Sequence, residues 1–150
     1  MEAKHRYRLW LWSASVLGVI CFIFANSLTP AEVSAEESRS FLDAILALFP
    51  DITHHVVRKL AHVAEYALLG VHFALAPVLL PIPSRLANLL ALLFGAVIAL
   101  LDEGIQYFVP GRGASLGDAV IDYVGYLMAL FLAFAFFFIL SVMRRRKKNV

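Results

Sequence analysis

Four long apolar stretches dominate the sequence and limit what this chain can fold into. They run over about residues 9–25, 60–80, 86–109 and 116–143. A helix needs about 20 apolar residues to cross the hydrocarbon core of a bilayer, so each stretch is long enough for one crossing. Hydrophobic residues make up 61% of the chain and charged residues 16%, which is too apolar for a soluble domain of this size. We therefore predict an all-α membrane protein with four transmembrane helices.

The connecting segments leave no room for a second domain, so residues 1–150 are predicted to form a single transmembrane domain. The longest connection, over about 32–49, has helical periodicity. Its apolar side carries Phe41, Leu42, Ile45, Leu46 and Phe49. Because this helix is too short to cross the bilayer, we expect it to lie in the outer membrane interface, either as a linker or as a lid. Pro50 ends it, and Thr53 is a candidate cap for the next helix.

Basic residues at the two ends of the chain predict its orientation. Three precede the first span and five lie in the tail 144–150, whereas segment 26–57 has five acids against Arg39 alone. The positive-inside rule then places both termini in the cytoplasm, with the 26–57 segment outside. The tail is explained as a membrane anchor, so we expect no nucleic-acid partner. The first span also resembles a signal peptide, and its retention in the mature protein stays open.

Charged and polar residues within the last three spans fall on one side of each helix. At 100° per residue they cover arcs of about 140°, 100° and 60°. All three groups lie toward the outer ends of their helices, except His72, which is two turns deeper than Glu65. Ionisable groups in a span cost roughly 2.5–3.5 kcal/mol each on insertion scales, so they persist mainly where partners or water receive them. We therefore predict a polar cleft facing outside. The three stripes are His55, Lys59, His62, Glu65, Tyr66 and His72, then Asp102, Glu103 and Gln106, then Ser115, Asp118 and Asp122.

Four of these residues are candidates for acid–base catalysis: His62, Glu65, Glu103 and Asp122. His62 and Glu65 are spaced i, i+3, which fits either a proton-transfer pair or a structural hydrogen-bonded pair. Asp102 and Glu103 are adjacent and diverge by about 100°. We expect Glu103 to line the cleft with Gln106, and Asp102 to pair with a lysine or arginine.

Seven further residues are candidates for substrate binding: Lys59, Tyr66, Asp102, Gln106, Arg112, Ser115 and Asp118. Pro110-Gly111 predicts a type II turn. Arg112 projects from it, either toward a phosphate or carboxylate or as a structural clamp. Ser115-x-x-Asp118 fits a capping box at the start of the fourth span. Gly125 and Ala129 continue that face with small residues, which favours a close helix crossing.

Three motifs together resemble the VanZ family. They are Lys59-Leu-Ala-His62-Val-Ala-Glu65-Tyr66, Asp102-Glu103-Gly-Ile-Gln106-Tyr-Phe108-Val-Pro110-Gly111-Arg112, and Ser115-Leu-Gly-Asp118 with Gly125. The resemblance covers roughly residues 20–135 and implies a small bacterial membrane protein of the cell envelope. The member that gives the family its name is linked to low-level resistance to the glycopeptide teicoplanin. Asp122 departs from the family pattern, where asparagine is more usual.

Two functions fit this cleft equally well. The protein is either an enzyme acting on a lipid-linked cell-wall precursor or phospholipid head group, or a non-catalytic binder of such an amphiphile or of a glycopeptide. A proton-coupled carrier is disfavoured, because carriers usually bind at the midplane between repeats. Membrane lipids are the other expected partners, and no cofactor or metal is predicted. The less favoured alternative is a divalent cation held by Asp118, Asp122, Glu103 and His62.

Overall fold

The structure is a computed structural model and describes residues 2–37, 39–48 and 53–148. Within these ranges it is helical, without β-strands. The helices are α1 (Glu2–Leu28), α2 (Ala31–Glu37), α3 (Arg39–Leu48), α4 (His54–Phe73), α5 (Ala76–Leu79), α6 (Ser84–Gln106) and α7 (Leu116–Lys148). Four segments are long and apolar enough to cross a membrane: Glu2–Leu28, Val56–Leu79, Ser84–Gln106 and Leu116–Arg145. The predicted all-α membrane protein with four spans is confirmed.

The second span differs from the prediction because it is interrupted. Its first helix, α4, ends at Phe73, and the short α5 begins at Ala76. Pro77 is the physical reason, since proline has no N–H to donate and its ring clashes with the carbonyl four residues earlier. Leu75 N donates to His72 O at 3.2 Å instead, which tightens the chain into a turn. The two helices still form one candidate span, Val56–Leu79.

Helices α2 and α3 cover most of the predicted interfacial helix. Of the five apolar side chains on which that prediction rests, the structure describes only Ile45, so the apolar face stays a prediction. Ala31 N donates to Pro110 O at 3.4 Å, so α2 begins beside the turn between α6 and α7. The predicted cap of α4 is confirmed, since the Thr53 side chain accepts a hydrogen bond from Val56 N at 3.4 Å.

The four long helices pack around a common apolar core. α1 and α6 run toward one end of the bundle, and α4 and α7 start from that end. Fully buried side chains from three of these helices fill the centre, among them Ile23, Tyr66, Leu69, Tyr126 and Leu130. Large apolar side chains also remain exposed on the outer faces of the helices, as a lipid-facing surface requires.

Glycines set the contact between α4 and α7, the most extensive helix pair. A Cβ atom at Gly125 would lie 2.8 Å from Val63 Cγ1 and 3.0 Å from Val63 O. A Cβ atom at Gly70 would overlap the backbone carbonyl of Tyr126. The close approach predicted at Gly125 is therefore confirmed, and Gly70 provides a second one further along the same crossing.

Candidate functional site

A polar cleft opens at the end of the bundle where α1 and α6 finish and α4 and α7 begin. Its volume is about 80 Å³. The chain ends described by the structure, Glu2 and Lys148, lie toward the other end, because α1 runs toward the cleft and α7 runs away from it. The cleft is lined by Arg58, Lys59, His62, Glu103, Gln106, Gly111, Arg112, Gly113, Asp118, Ile121 and Asp122. Seven predicted site residues from three different helices and a turn thus meet in one place.

Basic side chains occupy the mouth of the cleft. Lys59 forms an ion pair with Asp118, and the two side chains are 34% and 33% exposed. Water screens a pair at this level of exposure, so the pair adds little to stability. Arg58 also lines the cleft and is exposed. It makes no ion pair within the described ranges, which leaves its guanidinium available to a ligand.

The start of α7 is capped differently from the prediction. Ser115 Oγ accepts a hydrogen bond from Asp118 N at 3.4 Å, which is one half of the predicted capping box. The other half is wrong, because Ser115 N donates to Glu103 Oε2 at 2.7 Å and not to Asp118. The ammonium of Lys59 holds the Asp118 carboxylate instead. Ser115 is absent from the cleft lining, so the structure gives it a capping role.

Arg112 is held by the C-terminal end of α1. Gly111 has φ of 74°, the left-handed conformation of a type II turn, and Arg112 N donates to Val109 O at 3.1 Å, so the predicted turn is confirmed. The Arg112 guanidinium donates from Nε to Thr29 O at 2.8 Å and from Nη2 to Asn26 O at 2.7 Å. These are carbonyls at a helix C-terminus, where a cation is favourable. Burial lowers the pKa of Arg112 from its ordinary value, and nearby Arg58 adds to that shift.

Three side chains converge at the cleft, and we call them the buried triad: His62 from α4 and Asp122 from α7, which line the cleft, and Asp102 from α6, which lies next to them. One ligand atom from each lies within 4.8 Å of the other two. Asp102 is 0% exposed and Asp122 is 4% exposed. No basic side chain in the described ranges forms an ion pair with either carboxylate. The predicted pairing of Asp102 with a lysine or arginine is therefore wrong, because those cations are engaged elsewhere or lie at the mouth.

Several buried polar atoms in and beside the triad have no hydrogen-bond partner among the described residues. Asp102 Oδ2 accepts from Gln106 Nε2 at 3.0 Å, whereas Asp102 Oδ1 accepts no hydrogen bond from the described residues. In the same part of the chain, His62 Nδ1 and Glu65 Oε2 make no hydrogen bond and lie 3.7 Å apart. This is too long for a hydrogen bond. A buried polar atom left unpaired costs about 1–3 kcal/mol, so a ligand that contacts these atoms recovers part of that free energy.

The comparison with protein families agrees with the motifs that surround this cleft. The sequence model of the VanZ/LLP1 family matches residues 12–140. The chain belongs to the VanZ/LLP1 family. The matched range contains every residue that lines the cleft and the greater part of each candidate span. No curated protein and no solved structure matches the chain.

In this VanZ/LLP1 chain, α1 also contributes to the site, which the sequence analysis missed. Asn26 Nδ2 donates to Glu65 Oε1 at 2.7 Å. Ser27 is fully buried, and its hydroxyl oxygen accepts from Gln106 Nε2 at 3.4 Å. In the sequence these residues only mark the polar end of the first span. Their predicted depth in the membrane could have indicated them, since the outer end of the first span lies at the same level as the three polar stripes.

Two residues of the α4 stripe lie outside the cleft. Tyr66 is fully buried and donates its hydroxyl to Ile98 O at 3.4 Å, so its predicted substrate contact is replaced by a packing role. His72 lies further along α4. Its Nδ1 atom lies 2.8 Å from Leu68 O on the same helix, and its Nε2 atom lies 2.8 Å from Ser15 Oγ, a contact that joins α4 to α1. The side chain of His55 lies outside the described part of the chain. A broad polar arc on a helix thus contains both cleft-facing and helix-facing positions.

Proposed function

We propose that this VanZ/LLP1 protein acts in the bacterial cytoplasmic membrane and binds the anionic head group of an amphiphile in its cleft. A lipid-linked cell-wall precursor is the leading candidate, and a phospholipid is the other. The observation that carries this proposal is the presence of Arg58, Lys59 and Arg112 in the lining of a cleft at the end of membrane-spanning helices. Guanidinium and ammonium groups bind phosphate oxygens through charge-assisted hydrogen bonds.

The charge distribution supports an outward-facing cleft. Basic residues are concentrated before the first span and in the tail 144–150, and they favour a cytoplasmic position for both ends. The cleft lies at the opposite end of the bundle from Glu2 and Lys148. An amphiphile would therefore enter from the outer leaflet, on the side where the cell wall is assembled.

A role in glycopeptide resistance follows from this proposal. Glycopeptides act by binding the peptide part of cell-wall precursors, so a protein that holds the precursor head group would reduce their access to it. We expect expression of the protein to raise the minimum inhibitory concentration of teicoplanin. We expect an Arg58→Gln variant, expressed at the same level, to raise it less.

The binding experiment compares two arginines with the same chemical change. Purified protein in detergent is titrated with a polyprenyl-diphosphate-linked cell-wall precursor, with phosphatidylglycerol and phosphatidylcholine in parallel. Arg58→Gln is expected to weaken binding of the precursor several-fold, because it removes a cleft cation that forms no ion pair with the described residues. Arg85→Gln is the matched control, since Arg85 is exposed in the first turn of α6, at the far end of the bundle.

Two results would contradict head-group binding in the cleft. One is an unchanged affinity in Arg58→Gln. The other is an equal loss in Arg58→Gln and Arg85→Gln, which would indicate general attraction of anionic lipid to a basic protein. A preference for phosphatidylglycerol over the precursor would keep the cleft but make the phospholipid its occupant.

A second candidate function is modification of the bound amphiphile. The observation that favours it is the position of His62 and Glu65, whose Nδ1 and Oε2 atoms lie 3.7 Å apart beside the cleft. A small side-chain rotation closes this distance to a hydrogen bond, as general acid–base pairs often do on substrate binding. Catalysis would be supported if the native protein turns over the precursor and Glu65→Gln loses this turnover while it binds the precursor with unchanged affinity. If the native protein binds the precursor but does not turn it over, catalysis is excluded and binding is its function.

A further inference from the structure

The buried triad has the ligand types and the arrangement of a metal centre. We propose that His62, Asp102 and Asp122 bind a divalent transition-metal ion, Zn²⁺ or Mn²⁺, at the cleft. Each side chain comes from a different helix, and one ligand atom of each lies within 4.8 Å of the others. At a tetrahedral centre, metal–ligand bonds of about 2.1 Å hold the ligand atoms about 3.4 Å apart. Side-chain shifts of up to about 1 Å would therefore complete the geometry.

The charge of the triad is the first argument for a cation. Asp102 and Asp122 are 0% and 4% exposed and have no ion-pair partner in the described chain. The nearby cations are committed elsewhere, because Lys59 holds Asp118 and Arg112 donates to the carbonyls that end α1. Buried carboxylates are retained in proteins when they are paired or coordinate a metal. A divalent cation would balance both charges at once.

The unpaired atoms are an independent second argument. Asp102 Oδ1 is buried without a hydrogen bond within the described chain, although Gln106 holds the other carboxylate oxygen at 3.0 Å. That hydrogen bond fixes the carboxylate and leaves one oxygen for a ligand. A carboxylate oriented in this way by a neighbouring amide is common around metal ions.

Glu65 lies beside His62, where a metal-binding histidine usually has a carboxylate partner. Its Oε2 atom lies 3.7 Å from His62 Nδ1, and its Oε1 atom is held by Asn26 Nδ2 at 2.7 Å. A carboxylate beside one ring nitrogen favours the proton there and leaves the other nitrogen, Nε2, as the ligand. Glu65 is thus a positioning residue for His62 in this proposal.

The donor set also indicates the class of metal. One imidazole nitrogen and two carboxylate oxygens suit Zn²⁺ and Mn²⁺ better than Ca²⁺, which prefers six to eight oxygen ligands. His62 and Asp122 line the cleft of about 80 Å³, so water or a ligand can occupy the remaining coordination positions. Three protein ligands and an open position are the arrangement of catalytic, not structural, metal sites.

The test measures metal binding by the full-length protein, apart from any lipid. Protein purified in detergent is stripped with EDTA, and its binding of Mn²⁺ is followed by electron paramagnetic resonance. Binding of Zn²⁺ is followed by metal analysis after desalting, and Ca²⁺ serves as the comparison ion. We expect about one Zn²⁺ or Mn²⁺ per chain and weaker binding of Ca²⁺. Asp122→Asn and His62→Gln should each reduce affinity at least tenfold.

Asp118→Asn is the matched control because Asp118 is an acid on the same helix and in the same cleft, but is paired with Lys59. It should keep metal binding. The proposal is overturned if the native protein binds neither ion, or if Asp118→Asn loses as much affinity as Asp122→Asn. It is also overturned if both triad variants bind metal as the native protein does. Helix content measured by circular dichroism confirms that each variant is folded, and the measurement on the native protein decides the matter if a variant is not.

Discussion

The two halves of the contact between α4 and α7 are built in opposite ways. Away from the cleft, Gly70 admits the Tyr126 backbone, and Leu69 and Leu130 are fully buried. Next to the cleft, the same two helices bring together His62 and Asp122, which do not bond to each other. The apolar half is filled by packing, whereas the polar half keeps unpaired groups. The apolar half therefore fixes the positions of α4 and α7, and these positions hold polar side chains together that would not associate by themselves.

The largest expected effect lies in the apolar half. Gly70→Leu should lower the free energy of unfolding by about 3 kcal/mol, since overpacking against a backbone carbonyl has no flexible side chain to relieve it. Thermal unfolding in detergent measures the change. Gly104→Leu is the control, because no atom lies within 4 Å of a Cβ built there. Similar losses at both glycines would contradict the assignment of this crossing as the frame of the bundle.

The next effect has the opposite sign and lies in the polar half. In EDTA at pH 8, Asp122→Asn should raise the free energy of unfolding by about 1.5 kcal/mol, because it removes a buried charge that has no ion-pair partner in the described part of the chain. The same thermal unfolding measurement applies, with Asp118→Asn as a variant that should bring no gain. If Asp122→Asn destabilises the metal-free protein, the Asp122 carboxylate of the native protein must be paired. The polar half would then be as well satisfied as the apolar half, and the difference between the two would not hold.

A smaller loss of stability is expected on removal of the Tyr126 hydroxyl, which joins the apolar half to α6. Tyr126 is fully buried and donates to Ala91 O at 2.6 Å. Tyr126→Phe should lower the free energy of unfolding by about 1 kcal/mol, since the ring remains while a buried hydrogen bond is lost. Tyr107→Phe removes a hydroxyl from a side chain that is 70% exposed and should change nothing. An equal change in both variants would be evidence against a structural role for the Tyr126 hydroxyl.

The smallest effect belongs to the ion pair at the mouth of the cleft. Lys59→Gln, Asp118→Asn and the double variant form a cycle whose coupling free energy should be about 0.5 kcal/mol, because both side chains are exposed to water. Raising the salt concentration should reduce it further. A coupling above about 2 kcal/mol would indicate a desolvated pair and would extend the tightly packed region up to the mouth.

The candidate site was predictable wherever its residues follow a helical period. His62, Asp122 and Glu103 were found because polar residues inside an apolar span fall on one face and at one depth. Asn26 was missed, because a polar residue at the end of a span has a simpler explanation as the membrane boundary. Tyr66 was misassigned, because an arc of about 140° cannot separate a cleft-facing position from one facing the next helix.

Residue order along the chain is enough to predict four membrane spans, the polar stripe on each of the last three, the Pro110-Gly111 turn and the close helix approach at Gly125. These are properties of length, period and local backbone, and each is contained in a short segment of chain. The partners of the site residues depend on how the helices pack against one another: Glu103 bonds to Ser115 N, Lys59 to Asp118, and Arg112 to the end of α1. Periodicity gives the direction of a side chain from its own helix axis, but not the relative height and rotation of two helices. Packing at Gly70 and Gly125 sets those two quantities for α4 and α7, and the close contact of Gly95 with the Tyr126 ring positions α6 against α7. Together these contacts bring His62, Asp122 and Asp102 near one another.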